Sequence, residues 1–174
     1  MIVIPDGQDP LVPFPGFDFY VSFRTTAIPY VFGGMPNVDD TISGGFSEIT
    51  GLEATMEPKV IKEGGRNYGP VQRAGPVTFS TVVLKRGVVR SRHLWGWWAM
   101  FAGSDDSKNG GWSPNGRADV DILLIASGQA VLGWHLVNAM PVKFRAPDFN
   151  ARGAEVAIEE LHLVHEGLNT APVS

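Results

Sequence analysis

Apolar and polar residues alternate cleanly over positions 17–24, where Phe17, Phe19, Val21 and Phe23 are apolar and Asp18, Ser22 and Arg24 are polar. Successive side chains of an extended chain point to opposite faces, so this spacing predicts a strand with one buried face. Residues 27–45, with Pro29, Pro36, Gly33-Gly34 and Gly44-Gly45, read as a long loop. Positions 46–63 read as one or two strands, kinked or bulged near Gly51 and Pro58. A polar tip at 64–76 leads back into a β-rich strand at 77–86. Together they predict a long hairpin over 52–82. Polar residues on both of its faces (Lys59, Lys62, Glu63, Arg66, Gln72 and Arg73) predict a tip that projects from the domain.

Residues 91–101 are the one helix candidate. Leu94, Trp95, Trp98 and Phe101 share a face at helical spacing, and Trp97 and Met100 widen it. Ser91 is placed to cap the first turn, and Gly103 is predicted to end the helix. A helix this apolar is expected to lie between a sheet and a second surface, such as another subunit. An aperiodic loop at 103–118 precedes a predicted hairpin of strands 119–126 and 130–140. A link at 141–153 then leads to a last strand at 155–165, which places Ala157, Glu159, Leu161, Leu163 and His165 on one face.

Gly and Pro supply 34 of the 174 residues, against about 12% in an average chain, and they cluster between the apolar runs. That punctuation predicts an all-β domain with many turns and one helix. The chain is long enough for a core without staples. Its formal net charge of −4 argues against a broad nucleic-acid footprint. The absence of cysteine excludes a disulfide framework, thiolate metal sites and a cysteine nucleophile. No apolar run reaches the length of a spanning helix, and the proline-broken N-terminus does not read as a secretory leader.

Candidate chemistry is sparse. His162 and His165, three apart on a strand, point to opposite faces and cannot share a metal; His93 and His135 are read as structural. The carboxylate pairs Asp39-Asp40, Asp105-Asp106 and Glu159-Glu160 are explained by turn chemistry and solubility, because adjacent strand residues diverge. No nucleophile elbow, phosphate-binding loop, dinucleotide fingerprint or zinc-helix motif is present. An assembly protein therefore fits these residues better than an enzyme.

Several stretches also resemble, in chain order, the tail tube proteins of contractile phage tails and the inner tubes of contractile injection systems. Residues 45–53 (GFSEITGLE) resemble that family's G-F-S-E-[VI]-[ST]-G-L-E, and Glu63-Gly64-Gly65 its R-E-G-G turn. Leu84-Lys85-Arg86-Gly87 resembles L-K-R-G, and Leu94-Trp95-Gly96-Trp97 resembles L-W-x-W. Residues 138–144 (NAMPVKF) resemble N-A-W/F-P-x-K-[WY], with Met140 in place of the aromatic. Asn150, 155–159 (EVAIE) and 161–168 (LHLVHEGL) match the family's ending. The segments 27–45 and 103–118 depart from the family in being longer.

The resemblance implies two packed antiparallel sheets forming a β-barrel-like tube protomer with one flanking helix and an extended hairpin. It implies a tail-tube domain at 17–168, between an N-terminal arm at 1–16 and a C-terminal tail at 169–174. Six protomers would close into a ring, and rings would stack into a hollow tube inside a sheath. Implied partners are further copies of the chain, the sheath protein, the baseplate hub, tube-terminator proteins and cargo in the lumen. The resemblance implies no cofactor, metal or catalytic residue, no nucleic-acid specificity and no membrane-spanning segment. Implied contact positions are Glu53, Lys59, Lys62, Glu63, Arg66 and Arg73 on the hairpin, Trp95 and Trp98 on the helix, and Glu159 on the last strand. Assembly would occur in the cytoplasm, in a phage tail or an injection particle. The alternatives are a tube-initiating ring protein beside the baseplate and a monomeric β-sandwich module binding carbohydrate or peptide through the Trp segment. A hydrolase using Asp119, Asp121 and Glu160 is a third.

Overall fold

The computed structural model describes residues 18–24, 41–88, 93–103, 116–126, 128–148 and 157–171. The expected N-terminal arm, the cap at Ser91, the Asp39-Asp40 and Asp105-Asp106 pairs, and Asn150 and Glu155 of the closing motif lie outside these residues. In chain order the strands are β1 (Asp18–Arg24), β2 (Thr41–Phe46), β3 (Glu48–Thr50), β4 (Ala54–Met56), β5 (Lys59–Ile61), β6 (Val71–Arg73), β7 (Val77–Phe79) and β8 (Val82–Gly87). The helix α1 (His93–Ala102) comes next. It is followed by β9 (Ala118–Ala126), β10 (Gln129–Arg145), β11 (Ile158–Val164) and β12 (Gly167–Thr170).

The main sheet runs β2-β1-β9-β10-β11-β8-β3, with β12 beside β10, and every pairing is antiparallel. Its long strand β10 belongs to two layers. The first half pairs with β9 and β12, and the second half pairs with β11. Among the described residues the sheet stays open, with β2 and β3 at its two ends, so one protomer does not close a barrel.

Alternation decides what is buried. Val21 and Phe23 of β1, Val120 and Ile122 of β9, and Leu136 of β10 meet Val82 and Leu84 of β8 and Leu161 and Leu163 of β11 in one cluster. Burying each such side chain contributes about 1.5–3 kcal/mol relative to leaving it in water. α1 covers this cluster with Leu94 and Trp97, and Trp97 meets Phe23 edge-on at 5.3 Å between ring centroids. Gly103 ends the helix as expected: its backbone is left-handed (φ 85°) and its N–H donates to the Ala99 carbonyl at 2.8 Å.

β10 passes between layers at Asn138, whose φ of 53° falls at a register shift between Leu136 and Ala139. Asn tolerates this left-handed conformation better than most residues. It is held from both sides. Its N–H donates to Asp119 Oδ1 at 2.9 Å, and its Nδ2 donates to Glu166 Oε2 at 2.6 Å. Glu166 Oε1 also accepts from Arg117 Nη1 at 2.7 Å. Two stretches of the resemblance, around Asn138 and Glu166, thus join in one network.

Several boundaries differ from the sequence-based expectation. The loop expected at 27–45 contains β2 from Thr41 onward; Gly44 and Gly45 lie opposite Val21 and Tyr20 as strand residues, not turns. The tip expected at 64–76 includes β6. The link expected at 141–153 begins inside β10, which runs to Arg145; Pro141, unable to donate, lies at a register shift between β10 and β11. β12 was not foreseen. Asn169 and Thr170, assigned to a C-terminal tail, are Cα partners of His135 and Trp134. Among the described residues no helix is long and apolar enough to cross a membrane.

Candidate assembly surface

The hairpin forms an arm leaving the edge of the sheet. From Glu48↔Lys85 through Ala54↔Phe79 to Met56↔Val77 the two strands keep one register. Beyond that, Lys59 pairs with Arg73, so three steps along one strand face four along the other. This is a β-bulge. Gly75 sits in it, where a Cβ would overlap the Glu57 carbonyl oxygen. At the base, Gly51 has φ 84°, and a Cβ there would overlap the Thr81 carbonyl oxygen. Both expected irregularities, near Gly51 and Pro58, are therefore close approaches between the two strands.

The arm carries polar side chains on both faces, as expected, with Gln72 opposite Val60 on one and Lys59 opposite Arg73 on the other, but one face also bears an apolar stripe. Ala54 and Met56 lie opposite Phe79 and Val77, and strand alternation carries Val60 to the same face. Met56, Val60 and Val77 are 50%, 53% and 51% exposed, an apolar stripe with no cover in this protomer among the described residues. The opposite face carries Thr55, Glu57, Lys59, Arg73 and Thr78 together with the Ile61–Val71 pair. The stripe escapes a simple pattern count because Glu57, Pro58 and Lys59 separate Met56 from Val60, and Val77 joins them only across the strands. A two-stranded ribbon is marginal in water by itself, so an uncovered arm of this kind is a surface suited to a partner.

The expected contact residues separate into three places. Glu53, Lys59, Lys62, Glu63, Arg66 and Arg73 are all exposed on the arm. The structure brings Lys59 to Arg73 across the strands and Glu63 to Arg66 at 3.8 Å. Trp95 and Trp98 lie together on α1, ring centroids 5.1 Å apart, with Phe144 of β10 5.5 Å from Trp95. Trp95 is 43% exposed, whereas Trp97 is 1% exposed and donates from Nε1 to the Gly116 carbonyl at 2.7 Å. Leu94 and Trp97 are the buried helix positions, and Trp98, Met100 and Phe101 pack partly buried against the same core, so of the predicted apolar face Trp95 alone is exposed. Glu159 lies apart from both groups, inside the protomer, as the ion-pair partner of Arg86.

The dispersed carboxylates have structural partners. Asp119 accepts from the Asn138 N–H, Asp121 meets His135 Nδ1 at 2.6 Å, and Glu160 meets Arg145 Nη1 at 3.3 Å. Asp121 sits on β9 and Glu160 on β11, in different layers of the fold. His93, partly buried at the start of α1, titrates below the ordinary histidine range, first because burial disfavours its charged form and second because of the Arg86 guanidinium.

Comparison with known proteins places this geometry. The family described as T4-like virus tail tube protein gp19 matches residues 15–169. Among solved structures, a chain of the six-fold symmetrised anti-feeding prophage baseplate is 25% identical, with TM-score 0.65, covering 94% of this chain and 97% of that one. A chain of the sheath-tube complex of an extracellular contractile injection system, in its extended state, is 18% identical, with TM-score 0.64 and coverage of 94% and 95%. A chain of the tube-terminating cap of the anti-feeding prophage is 20% identical, with TM-score 0.64 and coverage of 98% and 100%. The last two speak to the fold alone. No curated protein matches the sequence. With most of its length matched, its two-layered β fold and the helix α1 lying against it, the chain belongs to the T4-like virus tail tube protein family.

Proposed function

We propose that this chain is a structural, non-catalytic subunit of the rigid inner tube of a phage tail or contractile injection machine. Six copies close edge to edge into a ring, and rings stack into a hollow tube inside a sheath. Contraction then drives the tube through a target envelope. The observation that carries this reading is the open sheet: β2 and β3 end it without a further strand among the described residues. Open edges invite pairing, and closure into a ring removes them. Sheath protein, baseplate hub and terminator are the partners of such a tube, and its lumen is the place for cargo. Assembly takes place in the cytoplasm, and the finished particle carries the chain.

Electron microscopy of the purified protein tests the reading. Rings or tubes with a central hole are expected; protein that remains monomeric by light scattering at high concentration overturns it. A second reading, the tube-initiating ring, is favoured by the likeness to a chain from a baseplate structure. It predicts single rings that do not elongate without a second tube protein.

A further inference from the structure

The layer made by β3, β8, β11 and the second half of β10 carries a row of alternating charge. Arg145 of β10 is the Cα partner of Glu160 on β11, Glu160 of Lys85 on β8, and Lys85 of Glu48 on β3. Arg145 Nη1 lies 3.3 Å from Glu160 Oε1, and Lys85 Nζ lies 3.0 Å from Glu48 Oε1. Both ends of the row reach open edges. β3 ends the sheet, and β9 leaves β10 at the Ala118–Ala139 pair, so over 140–145 that side of β10 carries no strand among the described residues. One edge thus ends on an acid and the other on a base, with side chains 50% and 53% exposed. Arg145 Nη2 also meets Asp148 Oδ2 at 2.9 Å.

We propose that Glu48 of one copy pairs with Arg145 of the next, so that the row of alternating charge runs on across the junction and selects which edges meet and in what register. This rests on the ring reading above. β3 is antiparallel to β8, β8 to β11 and β11 to β10, so a second copy can lay its β10 beside β3 without breaking the antiparallel order. Continuing the same register sets Glu48 opposite Arg145, Ile49 opposite Phe144 and Thr50 opposite Lys143 of the next copy, and no like charges face each other. Ile49 and Phe144 already pack, partly buried, against the core, so the apolar row continues in step with the charged one. Two-fold pairing instead brings β3 to β3 with two copies of Glu48, or β10 to β10 with two copies each of Lys143 and Arg145. Head-to-tail pairing joins opposite signs, and it is the mode that closes rings.

Mixing two charge reversals tests the pairing. Glu48→Arg alone sets two bases together at every junction, and Arg145→Glu alone sets two acids together. Each should raise the protein concentration at which rings form about ten-fold at about 0.05 M salt, read by sedimentation velocity. Mixed in equal amounts, the two variants restore opposite charges at every junction of a ring in which they alternate, and that concentration should return to within about two-fold of wild type. A purely intramolecular role leaves the mixture as defective as its parts, because each chain keeps its own altered contact with Lys85 or Glu160. Glu48→Gln and Arg145→Gln, which set no like charges side by side, should each raise the concentration about three-fold. They carry the test if circular dichroism shows that a reversed variant does not fold. Reversed or Gln variants that form rings as wild type does, or a mixture of folded variants no better than its components, overturn this inference alone. Wild-type protein that stays monomeric at every concentration overturns the ring reading and this inference with it.

Discussion

Arg86 and Glu159 face each other across β8 and β11 in the interior, with Nε donating to Oε1 at 2.5 Å and side chains only 6% and 10% exposed. They continue the inward row in which Val82 lies opposite Leu163 and Leu84 opposite Leu161. The guanidinium also sits 5.7 Å from the Phe46 ring centroid, and its Nη2 is buried without a hydrogen-bond partner. Two charges withdrawn from water are tolerated here because each neutralises the other. Breaking the pair from one side leaves an uncompensated buried charge.

Glu159→Ala is therefore expected to lower stability by about 3–5 kcal/mol, read as a fall in the urea midpoint. The double replacement of Arg86 by Met and Glu159 by Leu should recover most of that loss. A single variant as stable as wild type would show that the pair is not desolvated.

Trp97 is the aromatic on which α1 depends. Trp97→Ala should cost about 3–5 kcal/mol through lost burial and the cavity left beside Phe23. Trp97→Phe should cost about 1–3 kcal/mol, largely through the Gly116 carbonyl left unpaired. Trp95→Ala, at an exposed position, should change protomer stability by less than about 1 kcal/mol. Chemical denaturation of the three variants gives the order, and equal losses at Trp95 and Trp97 would refute the packing described.

The two crossing glycines should resist side chains while the tip accepts them. Gly51→Ala combines a left-handed backbone with overlap on Thr81, and Gly75→Ala overlaps Glu57. Each should destabilise the arm by more than about 1 kcal/mol, seen as faster amide exchange in β4 to β7. Gly64→Ala, with nothing within 4 Å of the added carbon and no left-handed φ, should be neutral.

His93 gives a pH signature with a definite sign. Its pKa in the fold lies below the ordinary 6.5, so the unfolded chain binds the proton more readily. Stability should thus be unaffected by this group above pH 6.5 and should fall as pH drops from there toward the lowered value. His93→Gln should flatten that part of the stability–pH curve measured by denaturation between pH 8 and 5. An unchanged slope would assign the acid loss to other groups.

Much of this was legible in the chain because strand periodicity survives translation into structure without distortion. Val21 and Phe23 alternate with Ser22, and Leu161 and Leu163 with His162; the inward members of each set form the core. Gly103 was readable as a stop because few other residues adopt its backbone cheaply. Where the reading failed, the cause was a local irregularity or a competing partner. Gly44 and Gly45 carry turn chemistry, yet β1 offers them a ladder. Met56 and Val60 are separated by polar residues and Pro58, and Val77 joins their stripe only through the pairing of β4 with β7. In the 91–101 segment Trp95, Trp97 and Trp98 are equally apolar, so composition could not select the buried one.

The amino-acid order by itself determined the β class, the helix α1, the long hairpin and the family, since each is written in local spacing or in contiguous residues. Only the folded chain decided that Arg86 meets Glu159 across 73 residues, that Asn138 and Glu166 brace the bend of β10, and that Lys59 stands opposite Arg73. Those outcomes depend on register between strands distant in sequence, and register is set by the simultaneous packing of every face, which no single segment encodes.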